Sequence, residues 1–153
     1  MIEVTGDLWD TQRWPETTTW RCITTNGFVK KNGECVMGRG CAKEASLKYP
    51  DMPRKLGHAI STYGNKLWAW PKYMLITFPV KHQWFEKADI DLIKKSAEEL
   101  LEWMETFEYD EGHQGFQGTI LLPRPGCGNG QLKWEDVKPV ISFLPDNVLV
   151  ISR

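Results

Sequence analysis

The chain has 153 residues, a length that suits one domain, since a single core usually serves about 100–200 residues. Hydrophobic residues make up 41% and charged residues 25%, a globular balance that excludes long disorder. Lysine plus arginine total 19 against 20 acidic residues, for a net charge of −1, which argues against sequence-independent attraction to nucleic acid or anionic membrane as the main activity. The opening Met1-Ile2-Glu3-Val4-Thr5 lacks the charged and apolar regions of a secretory signal. No apolar run approaches the roughly 18 residues that suggest a membrane span. Cys22, Cys35, Cys41 and Cys127 form no CxxC pair, and a domain of this size needs no staple. Free thiols in a reducing cytoplasm are expected.

In chain order, Thr18 to Thr25 is rich in β-branched and aromatic residues and predicts a strand. Gly27 to Gly40 contains four glycines and reads as a long loop. Cys41 to Tyr49 predicts a helix that stops before Pro50, and Pro53 to Tyr63 a second, with Gly64 just past its end. Leu67 to Trp70 and Tyr73 to Phe78 read as strands parted by Pro71-Lys72. Ile90, Ile93, Ala97, Leu100 and Met104 recur at steps of three or four, which places Asp89 to Met104 on a helix with one apolar face. Tyr109 to Gly118 reads as a polar loop, Thr119 to Leu122 as a short buried strand, and Val148 to Ile151 as the last strand. Trp134, Val137 and Ile141 mark a helix that Pro139 would kink or restart. Strands alternating with helices imply a sheet, at least partly parallel, with helices on both faces. Ligands in such sheets bind at the carboxyl ends of the strands. The loops after Thr25, Phe78 and Leu122 are therefore the candidates.

Two of these regions are rich in glycine. Met37-Gly38-Arg39-Gly40-Cys41-Ala42 runs into a helix, and Pro125-Gly126-Cys127-Gly128-Asn129-Gly130 follows a strand and precedes another helix. Glycine lets backbone approach a ligand, and a helix N-terminus offers free N–H groups to an anion. Two such loops suggest a diphosphate held between two cradles, although glycine-rich turns also serve simply to reverse a chain. Several phosphate-binding classes are excluded. There is no GxxxxGK[ST], no Rossmann fingerprint at the first strand, and no arginine six residues after any cysteine.

Gly6-Asp7-Leu8, Thr24-Thr25-Asn26, the Met-Gly-Arg-Gly-Cys-Ala loop and Pro-Gly-Cys-Gly-Asn-Gly-Gln-Leu-Lys-Trp-Glu-Asp-Val, in this order and spacing, resemble the macrodomain family. These are single ADP-ribose-binding modules built as a three-layer α/β/α sandwich with a mixed central sheet. The resemblance spans Gly6 to Ile151, so residues 1–153 are expected to form one macrodomain. Phe78-Pro79-Val80-Lys81-His82-Gln83-Trp84 and Gly126-Cys127-Gly128-Asn129-Gly130 are most similar to segments of DarG-type antitoxin macrodomains, which remove ADP-ribose from DNA bases. The related terminal ADP-ribose glycohydrolase carries an essential aspartate where this loop reads Asn129-Gly130. An insertion, Phe28 to Cys35, departs from the family pattern and is expected to cap or reshape the distal-ribose end.

The resemblance implies a role for each matching residue. Asp7 would accept from the adenine amino group, with Leu8 beside the ring, although Asp7 also suits a turn cap. Thr25 and Asn26 would meet the ribose, Asn26 as donor and acceptor. Gly38, Arg39, Gly40, Cys41 and Ala42 would line the diphosphate from one side. Pro125, Gly126, Cys127, Gly128, Asn129 and Gly130 would line it from the other. Lys81 and Asn26 are the expected catalytic pair. Lys81 could protonate the departing base as an ammonium. It could instead attack C1″ as a neutral amine, which would require burial or a neighbouring cation. His82 is a further acid–base candidate, while His58 and His113 show no partner in the sequence. Cys127 reads as a small packed residue rather than a nucleophile. Trp68, Trp70, Trp103 and Trp134 are expected against the core, and Trp84 could stack on a nucleobase. No metal cluster is visible, and the pattern implies no metal or organic cofactor. The implied activity is ADP-ribosyl hydrolysis on a modified macromolecule such as DNA. A non-catalytic reader and an ADP-ribose 1″-phosphate phosphatase are the alternatives. The family implies a monomer, with no membrane partner.

Overall fold

A computed structural model describes all 153 residues. Strand β1 (Ile2–Thr5) is followed by β2 (Thr19–Asn26), α1 (Gly40–Lys48), α2 (Met52–Tyr63), β3 (Trp68–Trp70) and β4 (Leu75–Lys81). Then come α3 (Ile90–Thr106), β5 (Glu108–Asp110), β6 (His113–Gln114), β7 (Thr119–Pro123), α4 (Trp134–Ile141) and β8 (Val148–Ser152). Six strands form one mixed sheet in the order β1-β8-β7-β2-β4-β3. Every neighbouring pair is parallel except β3 with β4. The carboxyl ends of β1, β8, β7, β2 and β4 therefore lie along one edge.

The sheet is buried on both faces, which explains why β2 and β4 read as nearly continuous apolar runs. On one face Cys22, Ile76, Phe78, Ile120, Leu122, Val148 and Val150 pack with Ile93, Ala97 and Leu100 of α3 and Val137 and Ile141 of α4. On the other, Ile23 and Leu75 pack with Ala42 and Ala45 of α1 and Met52 and Leu56 of α2. The result is three layers, as expected. Trp103 and Trp134 pack against the first cluster and Trp70 against the second, but the deeply buried indoles are Trp14 and Trp20. Trp68 stacks on Tyr63 at a centroid distance of 5.1 Å.

Particular residues set the ends of these elements. Asp89 caps α3, its Oδ1 accepting from the N–H of Asp91 at 2.9 Å and of Leu92 at 3.4 Å. Gly57 of α2 has no alternative, because a Cβ there would lie 1.9 Å from the Gly33 carbonyl oxygen. Arg21 is buried in the middle of β2 and donates from Nε to the Leu8 carbonyl at 2.7 Å, while its other end donates to the Trp14 carbonyl. Burial pulls its pKa down, and these bonds hold residues 8–14 against the sheet.

Two expectations change, and one strand is an addition. Ile2–Thr5 pairs with β8 as an edge strand, a segment too short and too exposed to stand out in sequence. Tyr109 to Gly118 is not purely a loop: β5 and β6 form a small exposed hairpin that closes through Gly112 at a φ of +77°. Within it His113 does have neighbours, with Nδ1 3.8 Å from Asp110 and its ring stacked on Tyr109. The segment Phe28 to Cys35 does not border the cleft described below. It folds on itself through the Val29–Cys35 bridge and docks on α2, where the Cys35 N–H donates to the Pro53 carbonyl at 2.8 Å.

Candidate functional site

A cleft of about 990 Å³ opens along the carboxyl edge of the sheet. The residues that end β1, β2, β4, β7 and β8 or directly follow them all border it: Gly6, Asn26, Lys81, Arg124 and Ser152. The distance from β4 to β8 is three strand spacings, or about 14 Å at ~4.8 Å each.

One wall is the loop into α1. Gly38 and Gly40 have φ of +60° and +68°, left-handed values that glycine adopts without a Cβ penalty. Arg39 stands at the N-cap but makes no side-chain capping bond, and the first turn carries no acidic residue. The first N–H groups of α1 are thus left to whatever occupies the cleft. The facing wall is the Pro125–Gly130 loop. Gly126 has φ of +74°, and a Cβ there would lie 2.8 Å from Ile93 and 2.9 Å from Ala88. The two walls approach closely where a Cβ on Gly40 would lie 3.4 Å from Asn129 Nδ2. The second loop does not open on a helix N-terminus. Gln131, Leu132 and Lys133 intervene, and Glu135 and Asp136 already occupy the first turn of α4. Only one of the two loops has the helix dipole behind it.

At the far end of the cleft lies Lys81. The regular pairing of β2 with β4 ends at Thr25–Pro79, and a shift of one residue sets Asn26 opposite Lys81 rather than Val80. Pro79 has no N–H to continue the ladder, which accounts for the irregularity at this point. Lys81 Nζ donates to the Asn129 carbonyl at 3.2 Å and the Trp84 carbonyl at 3.4 Å, so it ties β4 to the second glycine loop. An ammonium has three N–H donors, and one remains. Asn26 is buried and its amide is engaged. Nδ2 donates to the Val36 carbonyl at 2.7 Å, and Oδ1 accepts from the Phe28 N–H at 2.9 Å. Asn26 thereby fixes both ends of the inserted segment; the Cys35 thiol also lies 4.0 Å from Oδ1, so one N–H donor is what stays open.

The other expected residues divide. Leu8, Thr25, Arg39, Cys41, Gly128, Asn129 and Gly130 border the cleft with those already named. Asp7, Ala42, Pro125 and Cys127 do not. Asp7 Oδ1 accepts from the Trp9 N–H at 3.0 Å, closing a turn, and the same oxygen lies 3.9 Å from Arg153. Ala42 is buried against the second core cluster. The Cys127 thiol packs against the first cluster, and burial pushes its pKa up. Burial likewise raises the Cys41 thiol, which sits 3.4 Å from Thr24, and pushes Cys35 up to about 12. None of these thiols is primed as a nucleophile. His82 lies outside the cleft, with Nε2 2.8 Å from Asp89 Oδ2, a bond that holds the Asp89 carboxyl below its ordinary range.

Trp84, the last residue of the motif that holds Lys81, borders the cleft together with residues that carry no motif. Trp84 and Phe85 stand at the rim beside Lys81, 51% and 65% exposed, with Leu47 of α1 also at the rim and 73% exposed. Arg124 lies between the end of β7 and the second loop, a position the strand-end rule marks. Ser152 and Arg153 enter because β8 ends at the same edge, although the loop after it was not among the sequence candidates.

A three-layer sandwich with this strand order and a glycine-walled cleft at the carboxyl edge is the macrodomain fold. Solved structures that share it include the macrodomain of Mycobacterium tuberculosis DarG, with a TM-score of 0.71 and 24% identity over 98% of this chain and 95% of that one. The macrodomain of Thermus aquaticus DarG aligns with a TM-score of 0.69 and 21% identity over 98% of this chain and 95% of that one. Thermosipho africanus DarTG, solved in complex with ADP-ribose, aligns with a TM-score of 0.72 and 19% identity over 99% of this chain and 41% of that one. No protein-family model matches the sequence, and no curated protein matches it.

Proposed function

We propose that this chain binds ADP-ribose in the cleft and hydrolyses the bond that joins ADP-ribose to a modified macromolecule, with DNA bases as the carrier. One observation carries the reading: the uncapped start of α1 faces the second glycine loop across the cleft, with the Lys81 ammonium fixed at one end. The α1 N–H groups and the dipole behind them suit a diphosphate. The structure of Thermosipho africanus DarTG in complex with ADP-ribose, 41% of which aligns with this chain, supports the ligand.

The chemistry follows from Lys81. Water attacks C1″ of the distal ribose as the bond to the carrier breaks. The remaining N–H of Lys81 delivers its proton to the departing atom, and the water proton returns to the amine. Asn26 holds the loop opposite and has one open N–H donor for the ribose hydroxyls. On this reading no metal or organic cofactor takes part. The engaged amide of Asn26 and the two carbonyls on Lys81 favour one second reading, a binding module that performs no chemistry.

Titration with ADP-ribose tests the ligand, and hydrolysis of ADP-ribosylated DNA and protein by wild type and Lys81→Ala tests the reaction. Micromolar binding, with release of ADP-ribose lost in Lys81→Ala and affinity kept within a few-fold, is the expected result. Absence of binding at millimolar ligand overturns the function. Binding without turnover by the wild type leaves the second reading.

A further inference from the structure

Three asparagines of the chain, Asn26, Asn32 and Asn129, are each followed by glycine. The side-chain amide of an asparagine can be attacked by the nitrogen of the next peptide unit, and a glycine there, with no Cβ, leaves the approach unhindered. The attack needs a free carboxamide, a free N–H on the following residue, and water. The structure gives the three pairs different environments.

Asn26 is buried and fully tied. Its amide is engaged by Val36 and Phe28, and the Gly27 N–H donates to the His82 carbonyl at 3.2 Å. Asn32 is exposed but held. Its Nδ2 donates to Glu34 Oε1 at 2.7 Å, its Oδ1 accepts from the Glu34 N–H at 3.0 Å, and the Gly33 N–H donates to the Lys30 carbonyl at 2.9 Å. Asn129 is exposed at the edge of the cleft, its carboxamide makes no hydrogen bond, and the Gly130 N–H makes none either. Asn129 and Gly130 are the central pair of a turn closed by the Gln131 N–H, which donates to the Gly128 carbonyl at 3.1 Å. The carbonyl oxygen of the peptide unit that joins them accepts from Lys81 Nζ at 3.2 Å. A cation there favours the anionic form of the same unit's nitrogen, which is the form that attacks.

We propose that Asn129 is a self-modifying site, which deamidates through a cyclic imide whose formation Lys81 promotes. The Gly130 nitrogen bonds to Asn129 Cγ, and the amide nitrogen leaves as ammonia, taking up the proton that the Gly130 nitrogen has lost. Water then adds to one ring carbonyl and breaks its bond to that nitrogen, which regains a proton. Cleavage at Cγ leaves an aspartate. Cleavage at the main-chain carbon leaves an isoaspartate, in which the oxygen held by Lys81 belongs to a carboxylate. Water is the only co-reactant. Either product adds a negative charge to the cleft beside Lys81. The consequence, unlike the modification, rests on the ADP-ribose reading above: the new charge opposes the diphosphate, so the loop carries a clock on its own binding site.

The test incubates folded wild type, Lys81→Met, Asn129→Gln and urea-unfolded wild type in heavy-oxygen water at mildly alkaline pH. Peptide mapping by mass spectrometry then follows the solvent oxygen gained at each asparagine. Each hydrogen bond that must open before attack slows it by about two- to tenfold. In the folded protein Asn129 should therefore react at least about fivefold faster than Asn32, and faster still than Asn26, whereas unfolding should bring the three rates together. Lys81→Met should slow Asn129 about threefold or more and leave Asn32 unchanged. Asn129→Gln should gain no oxygen at that position, because its longer side chain does not close the same ring. Asn32 reacting as fast as Asn129 in the folded protein would overturn the site. An Asn129 rate unmoved by Lys81→Met would overturn the part given to the lysine. Titration with ADP-ribose before and after incubation separates the consequence: affinity should fall in step with the label at Asn129 and hold steady in Asn129→Gln. Labelled protein that binds as tightly as fresh protein removes the clock alone. Fresh wild type that binds no ADP-ribose removes the proposed function and the clock together, and the label at Asn129 still decides the modification.

Discussion

Gly128 and Gly130 stand two residues apart in one loop, and the structure gives them opposite reasons to be glycine. A Cβ on Gly130 would lie 2.5 Å from the Gly126 carbonyl oxygen and 2.7 Å from the Ala88 Cβ. Both are parts of the fold, and the Gly130 carbonyl also accepts from the Ala88 N–H at 2.9 Å. Gly130→Ala is therefore an overpacking change, with an expected cost of about 1–3 kcal/mol. For a domain of this size that lowers Tm by about 2–12 °C. At Gly128 a Cβ would meet nothing within 4 Å, and its φ lies outside the left-handed region. The fold itself does not require glycine there. Gly128→Ala should leave stability unchanged or raise it by about 0.4–1 kcal/mol through the unfolded chain, up to about 4 °C in Tm. Gly128 does border the cleft, where a bound diphosphate would pass close to its backbone. The same substitution should weaken ADP-ribose about tenfold, equivalent to about 1.4 kcal/mol. Calorimetric melting and ligand titration on the two variants give both readouts. A Gly128→Ala protein that is stable and binds as tightly as wild type would refute the idea that this loop approaches the ligand. An unchanged Tm in Gly130→Ala would refute the packing argument.

Other expectations follow from the same geometry. Arg21→Met removes two charge-assisted bonds to the Leu8 and Trp14 carbonyls and should cost at least about 2 kcal/mol in urea unfolding; a change below 0.5 would show that residues 8–14 are held by other contacts. Hydrogen bonds from Tyr73 and then Lys55 hold the Asp51 carboxyl at about 2, below its ordinary value, so its contribution to stability is complete above about pH 4 and is lost as pH falls towards 2. Tyr73→Phe should raise the Asp51 pKa in a carboxyl-resolved NMR titration and flatten acid-side stability between these limits; an unmoved Asp51 would contradict this. Trp84→Ala should leave free ADP-ribose affinity within twofold but slow release from an ADP-ribosylated oligonucleotide by fivefold or more, since only the carrier can reach an exposed rim indole. Equal rates for both proteins would remove Trp84 from carrier recognition.

Most of the fold was legible because its signals are local. Asp89 with the apolar spacing that follows it marks α3, and Gly64 marks the end of α2. The parallel core strands show as β-branched runs. The β1 edge strand and the β5–β6 hairpin were not legible: one depends on a partner almost the whole chain away, and the other has no apolar face. The glycine loops were readable as cradles, but only as equals. That only the first meets an open helix N-terminus depends on the three residues before α4 and on its acidic first turn. Asn26 was legible as a strand-end amide. Its bonds to Phe28 and Val36 were not, because they arise from the insertion folding back on α2. Arg124 was not singled out in the sequence, where only the loop after Leu122 was marked, and its contact with Glu3 joins residues far apart in the chain.

The irregularity at Pro79 makes the chain unequally tolerant of changes in length. Surface connections generally accept added or removed residues at little cost, and the exposed tip at Glu111-Gly112 should do so here. Between Pro79 and Lys81 the count is fixed on both sides. Ser96 Oγ donates to the Pro79 carbonyl at 2.7 Å, and the Asp89 N–H donates to the Val80 carbonyl at 2.9 Å. Removing one residue there would rotate the lysine out of phase with Asn26 and strip α3 of a fastening in the same stroke. A protein built on this sheet can lengthen its hairpin freely, but it can gain or lose nothing in the three residues that bring the ammonium to the cleft.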